Sequence, residues 1–385
     1  MSCPDRHVLS ALEIGMEWHP EAPGSGVGRM YHGLVQHLPR KGVNVSGLVT
    51  GSAPLRGAPS SIRAFAPASA SLPRRLWALR SSAQEMLRAH TVDLVASHFA
   101  LYTAPLVGLI DDRPLVAHFH GPWAFESRAE NEPAWSVWGK ALLERSVYQR
   151  AQRLIVLSSA FRDVLVEHYD VDAGRVRVVP GGVDADRFDT GLSRRAARQR
   201  LSWPTDRPIV LAVRRLVRRT GVPRLVDAIG RVRDQIPEVQ LYLAGTGPLR
   251  DKLARQIRER GLSNHATLLG FVPDDLLPLT YRAADLSVVP SVAHEGFGLV
   301  VVESLAAGTP ALVTPVGGLP ELVSGLSDRL LLPGGAPSRL APRIAAALVG
   351  DTSLPDAAAC QRYAQAHYDW PIIARQIRDV YAEVV

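Results

Sequence analysis

Short apolar runs alternate with longer stretches of helical period along most of the chain. In the first half the runs at 8–17, 44–49, 93–99, 114–120, 153–157 and 175–179 read as strands, with helical patterns such as 28–38, 74–90 and 135–151 between them. The second half repeats this grammar, with strands expected at 208–213, 239–244, 266–269, 285–289, 311–314 and 329–332. Strands alternating with helices build βαβ units and parallel sheets. Two such sets predict two Rossmann-like, doubly wound α/β domains. The boundary falls near 180–208, where Pro180-Gly181-Gly182 closes a strand and an Arg-rich polar stretch follows. Residues 51–73, rich in Ser, Pro and Ala, read as a mobile loop. Trp370, Ile373, Ile377, Val380 and Tyr381 recur at helical spacing, so 369–385 reads as a terminal amphipathic helix.

Composition narrows the function classes. With 385 residues, 46% apolar and 21% charged, the chain can bury two cores and is not globally disordered. No run approaches the roughly 18 apolar residues of a membrane helix. The first ten residues lack a basic-then-apolar leader pattern. Cys3 and Cys360 are the only cysteines, which excludes a disulfide framework and a cysteine-based metal site and favours a reduced, cytoplasmic setting. The net charge of +7 carries little information, because only three of the 44 basic residues are lysine, an arginine bias typical of GC-rich coding. Basic clusters interleaved with aromatics are not evident, so nucleic acid is not an expected partner.

Ligands of open α/β sheets bind beyond the carboxyl ends of the strands, and with two such domains a cleft between them is the default site. The strongest motif there is 291–303, reading Ser-Val-Ala-His-Glu-Gly-Phe-Gly-Leu-Val-Val-Val-Glu. A strand ends near Pro290 and a helix begins near Gly298. The amides of Phe297, Gly298 and Leu299 therefore lie at a helix N-terminus, an anion site. Glu303 lies about 7–8 Å along that helix from Gly298 at about 1.5 Å per residue. Glu295 and Glu303 can thus accept hydrogen bonds from different parts of one hydroxyl-rich ligand. The helix around Glu303 is apolar on nearly every face, and a buried carboxylate without a partner is costly.

This stretch, with Glu303-Ser304-Leu305-Ala306-Ala307-Gly308-Thr309-Pro310 and Gly317-Gly318-Leu319-Pro320-Glu321, resembles the GT4-type retaining glycosyltransferases of GT-B fold, which use nucleotide sugars. The resemblance covers nearly the whole chain and is most specific over 285–322. It implies that Glu295 meets donor-sugar hydroxyls, Glu303 the ribose hydroxyls, and the amides from Gly296 to Leu299 sugar and phosphate. It implies domains at 1–184 for the acceptor and 185–366 for the donor, with 367–385 crossing back onto the first domain.

Further motifs sit after other strands. Arg214, Arg215, Arg218 and Arg219 precede the helix that opens at Gly221, where guanidinium groups can fork onto a diphosphate. Arg215 matches the family's arginine; Thr220 stands where the family has lysine, and Arg219 is the expected substitute. On 114–120, alternation puts His118 and His120 on one face; His98 ends the preceding strand. His118 reads as a core histidine and metal as absent. His120 matches the family's His-Gly position near the reacting sugar. The loop Pro23-Gly24-Ser25-Gly26-Val27-Gly28-Arg29 matches the family's glycine loop, so Gly26 and Gly28 are expected at phosphate and Arg29 at phosphate or acceptor; a helix-capping turn at Ser25 is an equal reading. Gly245, and the segment Gly270, Phe271 and Val272 whose backbone reads the base, complete the expected donor site.

The implied reaction moves a sugar from a nucleoside diphosphate (UDP or GDP) to an acceptor hydroxyl with retention, His120, Glu295, Arg215 and Arg219 being the catalytic group and neither cofactor nor metal required. His98, Arg29 and the aromatic set Trp123, Phe125, Trp135 and Trp138 are expected at the acceptor, a lipid-linked saccharide or a small metabolite, with polysaccharide or glycolipid assembly as one setting. Arg74, Arg75, Trp77 and Arg80 suit peripheral contact with an anionic membrane face. A sugar-nucleotide epimerase of the same architecture, or a non-catalytic sugar-nucleotide-binding subunit, stand as alternatives.

Overall fold

A computed structural model describes residues 8–19, 21, 25–129, 132–293, 295–351 and 353–385. Cys3, Pro23, Gly24 and His294 lie outside them. The chain divides into two units, 1–182 with 370–385, and 183–369. No helix of the described residues is long and apolar enough to cross a membrane.

The first unit carries a parallel sheet of seven strands: β1 Leu9–Glu17, β2 Val43–Thr50, β3 Ile62–Ala66, β4 Leu94–Ser97, β5 Leu115–Phe119, β6 Arg153–Val156 and β7 Val176–Val178, in the order β3-β2-β1-β4-β5-β6-β7. The second has β8 Ile209–Val213, β9 Gln240–Ala244, β10 Ala266–Gly270, β11 Leu286–Val289 and β12 Ala311–Val313, in the order β10-β9-β8-β11-β12. The strand order reverses between β1 and β4 in one sheet and between β8 and β11 in the other. Those switch points are where a crevice opens beyond the strand ends.

Two expectations need correction. The stretch 51–73 is not simply a loop: it contains β3, an edge strand whose Ile62, Phe65 and Ala66 are buried, Phe65 and Ala66 in one core with Leu79, Ala83 and Met86 of helix Leu72–Ala89. Its apolar run is too short to stand out from the surrounding Ser, Pro and Ala. Conversely, 329–332 forms no strand. Asp328–Leu330 is a 3-10 turn, and one bridge, Leu331 to Val313, is all that extends the sheet.

The terminal helix Trp370–Ala382 belongs to the first unit. Trp370 stacks on His37 with ring centroids 5.5 Å apart. It occupies the space a Cβ at Gly33 or Gly182 would need, so those two glycines seat the indole. Ile373, Ile377, Val380 and Tyr381 are buried beneath the helix, as its period requires.

Candidate active site

In the second unit the loops following β8 and β11 meet at the switch point. Arg214, just after β8, sends its Nη2 to Glu295 Oε2 and to Ser291 Oγ at 2.8 Å. Ser291 also donates to Glu295 Oε2 at 2.8 Å. Arg214 and Glu295 are almost wholly buried, and the Nε of Arg214 has no hydrogen-bond partner among the described residues. Burial pushes the Glu295 carboxyl up, but the charge and hydrogen bond of Arg214, the Ser291 hydroxyl and the charge of Arg219 outweigh it and hold it below the usual carboxylate value. Glu295 is therefore an anion at neutral pH.

Two glycines make this geometry possible. Gly317, at φ +55°, lies so close to the Glu295 carbonyl that a Cβ would stand 1.9 Å from it, and the next amide, of Gly318, bonds that same carbonyl at 2.9 Å. Gly221, at φ +70°, meets the Pro290 carbonyl in the same way, while Val292 N–H reaches the carbonyl of Arg219 at 2.8 Å. No residue with a side chain fits either contact without displacing backbone. Gly221 thus clasps the arginine loop, and Gly317 the loop after β12, to the loop that carries Glu295.

Helix Leu299–Ala306 follows, capped by Gly298. Its first backbone bond runs from Val301 N–H to Gly298, so the amides of Phe297, Gly298 and Leu299 precede the hydrogen-bonded turns. The Phe297 ring is buried against Tyr368, 5.9 Å away, which leaves only its backbone for a ligand. Gly296 is half-buried. Glu303 is buried one face further along and accepts a hydrogen bond from Tyr281 Oη at 3.0 Å. Arg215 and Arg218 are exposed, and Arg219 is half-buried with its charge felt at Glu295. Thr220 is buried, its one hydroxyl hydrogen shared between the carbonyls of Arg215 at 2.9 Å and Val217 at 2.8 Å. It shapes the loop and contributes no charge. Gly245 N–H bonds Gly270 O at 2.6 Å, which joins the ends of β9 and β10, and Phe271 beyond them is exposed.

In the first unit, Ser25 caps helix Gly26–His37 by accepting from the Gly28 amide at 3.1 Å. The capping reading of that loop holds, and it engages the Gly28 amide. Gly26 is exposed and Arg29 half-buried. At the β1/β4 switch point a buried cluster gathers Glu13, His98, His118 and Tyr381, with His120 at its edge. Glu13 Oε2 lies 2.8 Å from His98 Nε2, and His98 Nδ1 lies 3.0 Å from His120 Nε2. Tyr381 donates to Glu13 Oε1 at 2.8 Å and lies 2.8 Å from His118 Nε2. The imidazoles of His98 and His118 stack at 4.3 Å. Burial, with the neighbouring His98, lowers the His118 pKa well below its usual value and that of His120 to about 3. Both are neutral at physiological pH.

The matches to known proteins agree with this geometry. Residues 193–367 match the family model described as glycosyl transferases group 1, and 24–187 match glycosyltransferase family 4. Over an alignment 407 positions long, gaps included, the chain is 31% identical to the D-inositol 3-phosphate glycosyltransferase of Corynebacterium jeikeium, covering 96% of each. The chain belongs to the GT4-type glycosyltransferases. It is also 30% identical, over 54% of its length and 56% of the relative's, to a GDP-mannose-dependent alpha-(1-6)-phosphatidylinositol monomannoside mannosyltransferase of Mycobacterium tuberculosis. Its fold is GT-B: sucrose-phosphate synthase of Thermosynechococcus elongatus superposes with TM-score 0.80 at 23% identity over 97% of this chain and 98% of that one. Anabaena HepE, solved with UDP, superposes with TM-score 0.78 at 22% identity over 97% and 100%.

Within this glycosyltransferase, the structure brings together Glu295, Arg219 and the helix-start amides, and adds Arg214 and Ser291 to them. Arg214 stood in the sequence only as one of several arginines; its burial singles it out. The burial of His98, with both ring nitrogens engaged, leaves it no nitrogen for an acceptor. Trp123 carries Lys140 Nζ 4.6 Å over its ring and packs edge-on against Phe99. Trp135 and Trp138 are exposed rather than packed beneath their helix. Glu13 went unnoticed as an acidic neighbour of the histidines. Its signal is a carboxylate flanked by Leu12 and Ile14 inside a mostly apolar strand. The donor atoms of Glu13, His98 and His118 lie within 4.8 Å of one another, and each residue is already engaged in hydrogen bonds.

Proposed function

We propose that this glycosyltransferase transfers a sugar, with retained anomeric configuration, from a nucleoside-diphosphate sugar bound on its second unit to a hydroxyl acceptor. The observation that carries this reading is the buried Arg214–Glu295–Ser291 cluster at the β8/β11 switch point, beside a helix N-terminus. It combines an anionic acceptor for sugar hydroxyls with cationic and dipolar groups for a departing diphosphate. Glu303, held by Tyr281, suits the ribose hydroxyls. Arg219 and Arg215 supply positive charge where the family's lysine is replaced by Thr220. The leaving phosphate takes the acceptor's proton in the front-face route that the family resemblance implies, so no metal or dedicated base is needed. The neutrality of His120 agrees, since a group titrating near pH 3 is a weak base at pH 7.

The acceptor we propose carries a phosphoinositol group, the chemistry named in the two relatives. Exposed Trp77, Trp135 and Trp138 favour a lipid-borne form of it. Thermal shift against UDP-, GDP-, ADP- and dTDP-sugars without added metal tests the donor half. Stabilisation by one donor, lost in Glu303→Ala, is expected. Product formation from that donor with free inositol phosphate, or with phosphatidylinositol vesicles, then distinguishes the two acceptor forms. A protein that no nucleotide sugar stabilises contradicts the donor assignment.

A further inference from the structure

Glu13 terminates two hydrogen-bond chains, and their polarity can be worked out atom by atom. A tyrosine hydroxyl has one hydrogen. Tyr381 gives it to Glu13 Oε1, so it accepts from His118 Nε2. With Glu13 as the acceptor on its other oxygen, His98 Nε2 carries the proton of that 2.8 Å contact. With a single N–H on His98, its Nδ1 is bare. The 3.0 Å contact between His98 Nδ1 and His120 Nε2 is then made by a hydrogen on His120. His120 Nδ1, which makes no hydrogen bond among the described residues, is left with its lone pair.

We propose that Glu13 and His98 are positioning residues that hold His120 in the Nε2–H tautomer, so that its Nδ1 presents a hydrogen-bond acceptor to a substrate hydroxyl. Every element around the chain supports a fixed polarity. Tyr31, from helix Gly26–His37, donates to the Glu13 carbonyl at 3.2 Å and packs edge-on against His98 at 5.1 Å. The ring of His118 covers the face of His98. Tyr381 brings the terminal helix into the same arrangement. Full burial of Glu13 removes the water that would otherwise let the imidazoles exchange roles. A hydroxyl meeting His120 is thereby held as donor, with its oxygen lone pairs free for the reaction. A second chain of donors, from His118 through Tyr381, satisfies the remaining carboxylate oxygen without drawing on His98. The identity of that hydroxyl rests on the glycosyl-transfer reading above; the tautomer does not.

The experiment records long-range proton–nitrogen correlations of the histidine rings on the full chain labelled with nitrogen-15 histidine, at about pH 7 and without substrate. His120→Asn assigns the signals. The expected wild-type pattern is a protonated Nε2 and a bare Nδ1 on His120, with His98 neutral. In Glu13→Gln the new amide can donate to His98 Nε2, and in His98→Phe the partner nitrogen is gone while the ring's volume stays. In each, His120 loses its single-tautomer signature, shifting wholly or partly to the Nδ1–H form. A doubly protonated His98, an Nδ1–H His120 in the wild type, or an unchanged His120 pattern in His98→Phe overturns the proposal. Because no substrate is present, this outcome is read separately from the presence or absence of transferase activity.

Discussion

Replacing Arg214 by methionine removes the charge and hydrogen bonds that keep Glu295 ionised while leaving a side chain of similar length. Breaking one partner of a buried ion pair costs roughly 3–5 kcal/mol, because the other charge is stranded. Glu295 keeps Ser291 and the charge of Arg219, so about 3 kcal/mol is expected near neutral pH. For a unit of this size each kcal/mol moves Tm by about 2–4 °C, giving a drop of about 6–12 °C in the transition of the second unit. The pH dependence makes the test specific. In the wild type the Glu295 pKa is lowered, so its contribution is complete above the unfolded-state pKa and is lost as pH falls through the folded value. In Arg214→Met burial prevails and the folded pKa rises. The folded state then holds the proton more tightly than the unfolded one, and the destabilisation is relieved as pH falls through that raised value. The stability gap should be widest at about pH 8 and should narrow toward about pH 5 in calorimetric scans. Arg214→Met combined with Glu295→Gln should recover most of the loss, since no buried charge remains. A gap that is constant or widens on acidification, or a double variant no more stable than Arg214→Met, would refute the reasoning.

Two other substitutions probe the supports. Gly317→Ala forces a left-handed backbone costing about 1–2 kcal/mol and drives its methyl into the Glu295 carbonyl, so it should lower Tm and abolish nucleotide-sugar stabilisation in the same thermal-shift assay. A variant that retains full donor stabilisation would show that the Glu295 loop does not depend on this contact. Ser25→Ala removes the cap of helix Gly26–His37 at a cost of about 1 kcal/mol, readable by urea unfolding and by faster hydrogen exchange at Gly28; unchanged exchange there would mean that the cap contributes nothing.

The apolar runs and helical periods fixed eleven of the twelve strand positions among the described residues to within a few residues, because a parallel strand buried on both faces leaves a continuous apolar signature. β3 escaped because it is short, at a sheet edge, and set among turn-forming residues. The loops at the second switch point were legible because a glycine turn between strand and helix and a carboxylate in an apolar helix have few other reasons to be there. Gly298 and Glu303 show this directly. What the motifs did not reveal was the pairing. Thr220 was marked as a missing lysine, and its hydroxyl is in fact spent on two carbonyls of its own loop.

The sequence by itself determined the two doubly wound sheets, the loops that end their strands, and the terminal helix, since each depends on local period, propensity and turn chemistry. Only the tertiary structure decided that Arg214 rather than its neighbours meets Glu295, that Glu13 and Tyr381 converge from 368 residues apart, and that His98 is oriented inward. The physical reason is that a hydrogen bond or ion pair is selected by burial and by distances of a few ångströms. Those quantities arise when the strands are ordered in the sheet, and no spacing along the chain encodes them.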